Sequence, residues 1–112
     1  MLNKHLFVMA KITPKAAFFE AAKIALLSLV GATRNEVDCI QFEIHVSPCG
    51  QFIYLYEEWT DQAALNNHHQ EKQTKAVAQK IEHWLAAPTE VALMNKLEQS
   101  AQSPRQPHFA NA

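Results

Sequence analysis

The segment from residue 52 to residue 59, Phe-Ile-Tyr-Leu-Tyr-Glu-Glu-Trp, constrains the fold most, because its aromatic and β-branched residues are typical of a buried strand. Side chains in a strand alternate between two faces, which here gives Ile53, Leu55, Glu57 and Trp59 on one face and Phe52, Tyr54, Tyr56 and Glu58 on the other. Both faces are largely apolar, whereas a sheet with one face in water alternates apolar and polar residues. A chain of 112 residues is long enough for one domain, so we expect a second copy to cover the second face in a homodimer.

The composition indicates an ordinary soluble globular protein, with 48% hydrophobic and 19% charged residues and a net charge of -1. The basic residues form no stripe, so the long-range attraction that nucleic acid or an anionic membrane requires is absent. The apolar run near the N-terminus is about five residues long, too short for a signal-peptide core or a membrane span. We therefore expect a cytoplasmic protein that binds neither nucleic acid nor membrane.

The hydrophobic pattern predicts alternating strands and helices. The order is a strand over Leu6–Ile12, a helix from Pro14 to about Thr33 with Thr13 as its cap, strands over Cys39–Val46 and Gln51–Trp59, a short helix capped by Asp61, a longer helix, and a strand from Thr89 to Leu97 after Pro88. This order predicts an α+β protein with the ferredoxin-like split βαβ arrangement and an antiparallel sheet. We expect one domain over residues 1–99 and a polar, flexible tail over residues 100–112.

The two middle strands form a predicted hairpin around Ser47-Pro-Cys-Gly50. If the turn has four residues and Val46 lies opposite Gln51, the residue numbers of each pair add up to 97. This register places Ile40, Phe42 and Ile44 on the same face as Glu57 and Trp59, toward the helices. It places Gln41, Glu43 and His45 on the opposite face, with the tyrosines.

With these elements in place, the chain resembles the antibiotic biosynthesis monooxygenase (ABM) family of small dimeric α+β barrel proteins, which includes quinol monooxygenases. The resemblance covers roughly residues 6–97. The resemblance rests on three motifs, which are, in chain order, Thr33-Arg34-x-Glu36, Cys39-Ile-x-Phe42-x-x-His45 and Tyr56-Glu57-x-Trp59-x-Asp61-x-x-Ala64-Leu65-x-x-His68.

The resemblance implies that O2 oxidises a small electron-rich aromatic or quinol substrate without flavin, haem or metal. The physical logic is that the anion of such a substrate can itself pass an electron to oxygen, so the protein has to deprotonate and desolvate it. The chain contains two glycines and no Gly-rich nucleotide-binding loop, which agrees with the absence of a dinucleotide cofactor.

His68 and Glu57 are the predicted catalytic residues. An imidazole exchanges protons near neutrality, and a carboxylate on an apolar face has a raised pKa unless it is paired. Glu57 has a structural interpretation as well, a buried pair with Arg34 or with a helix-end amide. Because adjacent helix positions differ by about 100°, one of His68 and His69 should face inward and the other should face water.

Trp59, Arg34, His45 and Phe42 are the predicted substrate-binding residues. Trp59 either stacks on a planar substrate or packs in the core. Arg34 either neutralises an anionic substrate or pairs with Glu36 or Glu57. His45 either lines a cavity or forms a hydrogen bond across the dimer. Phe42 is predicted to lie on the same sheet face as Glu57.

A metal site is the rival interpretation for His45, Glu57 and His68, which have suitable ligand types. No two of them share a helix at a spacing of three or four residues, and the predicted register separates His45 from Glu57, so we expect no metal. Two other functions stay open. One is isomerisation of a small phosphorylated signal similar to autoinducer-2 phosphate, which a branch of similar pattern carries out. The other is a dimer that binds a small ligand without catalysis.

Overall fold

The computed structural model describes residues 2–98, with side chains from Lys4 onward. Its elements, in order, are β1 (Leu2–Pro14), a 3-10 turn (Ala16–Phe18), α1 (Phe19–Leu27), α2 (Val30–Arg34), β2 (Cys39–Val46), β3 (Ile53–Trp59), α3 (Gln62–Gln70), α4 (Lys72–Glu82) and β4 (Leu85–Leu97). The strands form one antiparallel sheet in the order β2-β3-β1-β4. The predicted α+β fold with a ferredoxin-like split βαβ arrangement is therefore confirmed. The predicted flexible tail over residues 100–112 lies outside the described residues.

The turn of the β2–β3 hairpin lies one residue later in the chain than the sequence predicted. The N–H of Ser47 donates to the carbonyl of Phe52, and Gly50 turns the chain with a φ of 72°. Phe42 consequently lies opposite Glu57, and the numbers of paired residues sum to 99 rather than to the predicted 97. Apart from Ile40, a shift of two residues leaves the side chains on their predicted faces, because side chains in a strand repeat every second residue.

The register breaks between Cys39 and Gln41, and the prediction for Ile40 is wrong for this reason. Cys39 lies opposite Trp59 and Gln41 lies opposite Glu58, so Ile40 is the extra residue of a bulge. Ile40 is 47% exposed instead of being buried against the helices.

The first predicted helix is in fact interrupted. Its segment consists of a 3-10 turn, α1 and α2, with a break after Leu27. Thr13 lies in β1, and the residue before the 3-10 turn is Lys15, which forms no side-chain cap. β4 begins at Leu85 rather than at Thr89, and Pro88 lies in a region of irregular pairing with β1, where the missing N–H is tolerated.

The second helical region matches its prediction in two respects. The Asp61 carboxylate accepts a hydrogen bond from the N–H of Ala64 at 2.9 Å, which caps α3. Glu71 is extended, with φ -62° and ψ 136°, and separates α3 from α4. The predicted break into a short and a longer helix is therefore present, and α4 ends at Glu82.

The core lies between one sheet face, the inner face, and the helices. It consists of side chains from β1, β2 and β3 packed on α1, α2, α3 and α4, among them Val8, Ile12, Ala22, Leu26, Phe42, Ile53, Trp59, Leu65 and Ile81. The opposite face, the outer face, carries no helix in the described chain. There Phe7, Tyr54 and Tyr56 are half-buried, and the rings of Phe7 and Tyr56 lie 6.4 Å apart.

The segment Ala16–Arg34 is long and apolar enough to cross a membrane by length and composition alone. Core helices of globular proteins satisfy the same criterion. Here the segment contributes the buried residues Ala22, Leu26 and Leu29 to the core, so its apolar stripe has a partner within the domain.

Candidate functional site

The end of β3 and the last turn of α3 bring three polar side chains into the core. Glu57 and Trp59 point to the inner face because they are two residues apart on β3. His68 lies one turn after Leu65 on the buried side of α3. All three residues are buried, and Glu57 and His68 are, with Thr33, the buried polar residues of the described chain.

The Trp59 indole holds the Glu57 carboxyl group. Trp59 Nε1–H donates to Glu57 Oε1 at 2.9 Å. Burial raises the pKa of Glu57 above its ordinary value of 4.5, and the nearby Glu36 carboxylate also raises it, whereas the indole hydrogen bond and His68 lower it. The other oxygen, Oε2, has no hydrogen-bond partner in the described chain. Every side-chain oxygen that is fully buried in the described chain has a hydrogen-bond partner. Because Oε2 has none, it is not fully buried and is accessible.

His68 forms one hydrogen bond and three ring contacts. Its Nδ1 lies 3.0 Å from Glu36 Oε2, and a protonated Nδ1 donates to that carboxylate. The ring centroid lies 4.7 Å from that of Trp59, 5.8 Å from that of Phe42 and 5.6 Å from that of His69. Nε2 has no partner among the described residues and, by the same argument as for Glu57 Oε2, is accessible.

A cavity of about 370 Å³ lies beside these groups, between the inner face of the sheet and helices α1 and α4. Its wall is mostly apolar and includes Val8, Ala10, Leu26, Leu29, Phe42, Leu55, Val77, Ile81 and Val91. Its polar lining residues are Glu57, His68, His69, Thr74, Glu82 and Thr89. An apolar cavity with a few convergent polar groups and a carboxyl group of raised pKa is the typical form of a small-molecule site.

The structure brings three of the six predicted site residues to this cavity. Glu57, His68 and Phe42 line it, and Phe42 lies opposite Glu57 across the hairpin. Trp59 is fully buried and is not part of the cavity wall. The geometry therefore does not provide the predicted stacking of Trp59 on a substrate, and the indole lies in the core as a hydrogen-bond donor to Glu57.

Arg34 and His45 lie away from the cavity. Arg34 is exposed, and its Nε–H donates to the backbone carbonyl of Phe42 at 3.0 Å, so neither of its predicted carboxylate partners is used. His45 lies on the outer face with its side chain 56% exposed, and its Nε2 is 3.4 Å from Glu43 Oε1. Arg34 and His45 are therefore not positioned to bind a substrate inside this cavity, as was predicted for them.

Sequence reasoning missed the role of two residues. Glu36 belongs to the motif Thr33-Arg34-x-Glu36, but the motif does not predict it as the partner of His68, which is 32 positions away. His69 is exposed as predicted, yet it also lines the cavity, where partial burial and the neighbouring His68 lower its pKa. The sequence shows only that Glu36 is a charged residue in a short loop before a strand. That position does not identify the residue with which its carboxylate pairs.

Cys39 adds a thiol near these charges. Burial and the Glu36 and Glu57 carboxylates raise its pKa to about 11, so the thiol stays protonated near neutrality and is a poor nucleophile. Among residues 4–98, no group of three or more His, Cys, Asp or Glu side chains is arranged to hold a metal ion.

Known proteins provide a second line of evidence. The family model described as antibiotic biosynthesis monooxygenase matches residues 5–80. A Pseudomonas aeruginosa protein of known structure is 25% identical with a TM-score of 0.80, covering 88% of this chain and 99% of its own. A Mycobacterium tuberculosis protein is 21% identical with a TM-score of 0.81, covering 87% and 99%.

A third structure, described as an antibiotic biosynthesis monooxygenase, is 24% identical with a TM-score of 0.79 and covers 83% of this chain and 99% of its own. Comparison with curated proteins gave no significant match. The family model covers more than half of the chain, and the structural similarity extends over nearly all of the described fold. The chain therefore belongs to the antibiotic biosynthesis monooxygenase family.

Proposed function

We propose that the protein is a cytoplasmic monooxygenase that uses O2, without a cofactor, to oxidise a small electron-rich aromatic or quinol substrate. The observation that carries the proposal is the cavity itself, whose wall is mostly apolar and in which Glu57 and His68 are the buried polar lining residues. Membership of a family named for monooxygenases supports the reaction class.

The size and polarity of the cavity support a small planar substrate. A volume of about 370 Å³ is at the lower end of the range for ligand sites, roughly 300–1,000 Å³. Apolar side chains from β1, α1 and α4 surround the space, and Phe42 provides an aromatic ring in its wall. Such a wall removes water from a bound ring, and this desolvation strengthens the interaction of its hydroxyl group with a base.

In the proposed reaction, His68 Nε2 takes the proton from a substrate hydroxyl group. The resulting anion passes one electron to O2, and the substrate radical and superoxide then combine to form a carbon–oxygen bond. When the proton on that carbon leaves, the O–O bond breaks, a carbonyl group forms and the second oxygen atom leaves as water. The sum is RH2 + O2 giving RO + H2O, in which the substrate supplies all four electrons.

Glu57 has a separate part in this proposal. Its raised pKa brings proton exchange by the carboxyl group closer to neutrality, and Oε2 is free to contact the substrate. We propose that Glu57 gives a proton to the departing oxygen and takes one from the substrate carbon, so that the two groups share the proton transfers.

The test is oxygen consumption by the purified protein with a panel of quinols and hydroxylated aromatics in metal-free buffer. We expect uptake above the buffer rate with at least one substrate, one O2 consumed per product, one 18O atom from 18O2 in the product, and no hydrogen peroxide. Peroxide formed in equal amount to the O2 consumed would mean simple autoxidation.

Absence of uptake with every substrate would contradict the monooxygenase proposal. Calorimetric binding that depends on a phosphate group would then favour the isomerase, and tight binding without turnover would favour the non-catalytic ligand-binding protein.

We also propose that two copies pair through their outer faces to form a homodimer. On this face the half-buried rings of Phe7, Tyr54 and Tyr56 form an apolar surface beside Met94, which is 40% exposed. Contiguous apolar surface of this kind is typical of protein interfaces. We expect analytical ultracentrifugation at micromolar concentration to give about twice the monomer mass of 12.7 kDa, and Tyr56→Arg to give the monomer mass. A wild-type mass of 12.7 kDa would contradict the dimer.

A further inference from the structure

We propose that Glu36 is a positioning residue for His68, which fixes the imidazole with Nδ1–H directed away from the cavity and with an unprotonated Nε2 facing the substrate. The inference rests on the proposed function, in which His68 is the base. It adds a residue that does not line the cavity and that acts through another side chain.

The position of the Glu36 carboxylate supports this role. His68 lines the cavity, and its Nδ1 is bonded to Glu36 Oε2 at 3.0 Å. Glu36 does not line the cavity. Its side chain is 22% exposed and contributes instead to two other grooves, one lined by residues of α2 and α4 and the other by residues of α3. The imidazole thus separates a solvated carboxylate from the substrate space.

The backbone N–H and the backbone carbonyl of Glu36 are both held by hydrogen bonds. The N–H of Glu36 donates to the carbonyl of Thr33 at 3.0 Å, and the carbonyl of Glu36 accepts from the N–H of Cys39 at 3.0 Å. Thr33 is fully buried, and Cys39 begins β2 at the bulge. A carboxylate carried on a backbone fixed in this way presents its oxygen to Nδ1 from a constant direction.

The hydrogen-bonding capacity of the two side chains supports the same role. A neutral imidazole has one N–H, and a carboxylate partner can only accept a hydrogen bond, so the proton stays on Nδ1 and the lone pair stays on Nε2. When Nε2 takes a proton from the substrate, the imidazolium has a negative partner on its other side. The rings of Trp59 and Phe42, at 4.7 and 5.8 Å, restrict rotation of the imidazole.

The charged and titratable neighbours of His68 come from three elements. Glu36 is in the loop before β2, Glu57 is on β3, and His69 is the next residue on α3. Glu57 is already engaged by Trp59 and, like His69, lies on the cavity side. Glu36 is therefore the acceptor available to Nδ1.

The test is 15N NMR of protein labelled in its histidines, with no substrate present, at a pH where His68 is neutral. In the wild type we expect the chemical shifts of a protonated Nδ1 and an unprotonated Nε2 for His68. In Glu36→Ala the proton should move to Nε2, and in Glu36→Gln both forms should be populated, because an amide can accept or donate. Glu71→Ala is the matched control, since Glu71 is exposed, lies in the same two grooves and forms no hydrogen bond with the imidazole.

The kinetic arm uses the same variants with any substrate that supports oxygen uptake. Both Glu36 variants should lower kcat at least about tenfold with little change in KM, whereas Glu71→Ala should match the wild type. Circular dichroism checks that the variants are folded. A wild-type His68 with its proton on Nε2, or a tautomer unchanged in Glu36→Ala, overturns the inference even if uptake is observed. If the wild type has no uptake, the proposed function fails, while the NMR result still decides the role of Glu36.

Discussion

Replacing His68 with alanine is expected to lower kcat for oxygen uptake by about 10²–10⁴-fold, the contribution typical of general acid–base catalysis. His68 lines the cavity, its Nδ1 is bonded to Glu36, and its Nε2 has no hydrogen-bond partner among the described residues. KM should change much less, because the apolar wall that holds the substrate ring keeps its other residues. An oxygen electrode at saturating quinol, with equal concentrations of variant and wild type, measures the effect.

His69→Ala is the matched control for this experiment. His69 is adjacent in sequence and lines the same cavity, but it is exposed and has no hydrogen bond to Glu36. We expect His69→Ala to keep kcat within the same order of magnitude. Free imidazole should restore part of the activity of His68→Ala, since the substitution leaves a space that an imidazole can enter. Equal losses in both variants, or full activity in His68→Ala, would remove His68 from the role of base.

Much of this site could be predicted because it depends on local periodicity. Alternation along β3 is enough to place Glu57 on the face that the helices cover. The Asp61 cap sets the start of α3, and from there the helical repeat puts His68 on the same side as Leu65. The sheet face predicted for Phe42 is also correct although the predicted hairpin register is off by two, because side chains in a strand repeat every two residues.

The remainder depends on contacts between distant segments, which periodicity does not encode. The bulge at Ile40 leaves this residue exposed and puts Cys39 opposite Trp59, and no proline or glycine in the sequence indicates a bulge there. The pairing of Glu36 with His68 requires the loop after α2 to meet the end of α3. Whether Trp59 lines a cavity or lies behind its wall depends on packing at the scale of one ring.

The second large effect is expected from Trp59→Phe, which we predict to lower the free energy of unfolding by about 2–4 kcal/mol at neutral pH. Phenylalanine keeps most of the apolar volume but removes the indole N–H that donates to Glu57 Oε1 at 2.9 Å. A buried acceptor left without a donor costs about 1–3 kcal/mol, and more if it is charged, to which the lost packing adds. Urea unfolding at one fixed protein concentration measures the change.

The pH dependence of stability distinguishes the lost hydrogen bond from lost packing. Burial raises the pKa of Glu57, so between its ordinary value of 4.5 and the raised value the folded state binds more protons than the unfolded state. The contribution of this group to stability is therefore complete below pH 4.5 and is lost as the pH rises through the folded-state pKa. The indole hydrogen bond lowers that pKa, so Trp59→Phe should raise it further and extend the loss to higher pH.

Glu57→Gln supplies the matched background for Trp59→Phe. The amide of glutamine keeps an oxygen that can accept from Trp59 but carries no charge, so this variant should show a flatter dependence of stability on pH than the wild type. In this background Trp59→Phe leaves a neutral acceptor unpaired instead of a carboxylate, and the substitution should cost less than in the wild type. An equal cost in both backgrounds, unchanged between pH 5 and pH 8, would mean that the indole contributes by packing alone and that its hydrogen bond does not control the charge of Glu57.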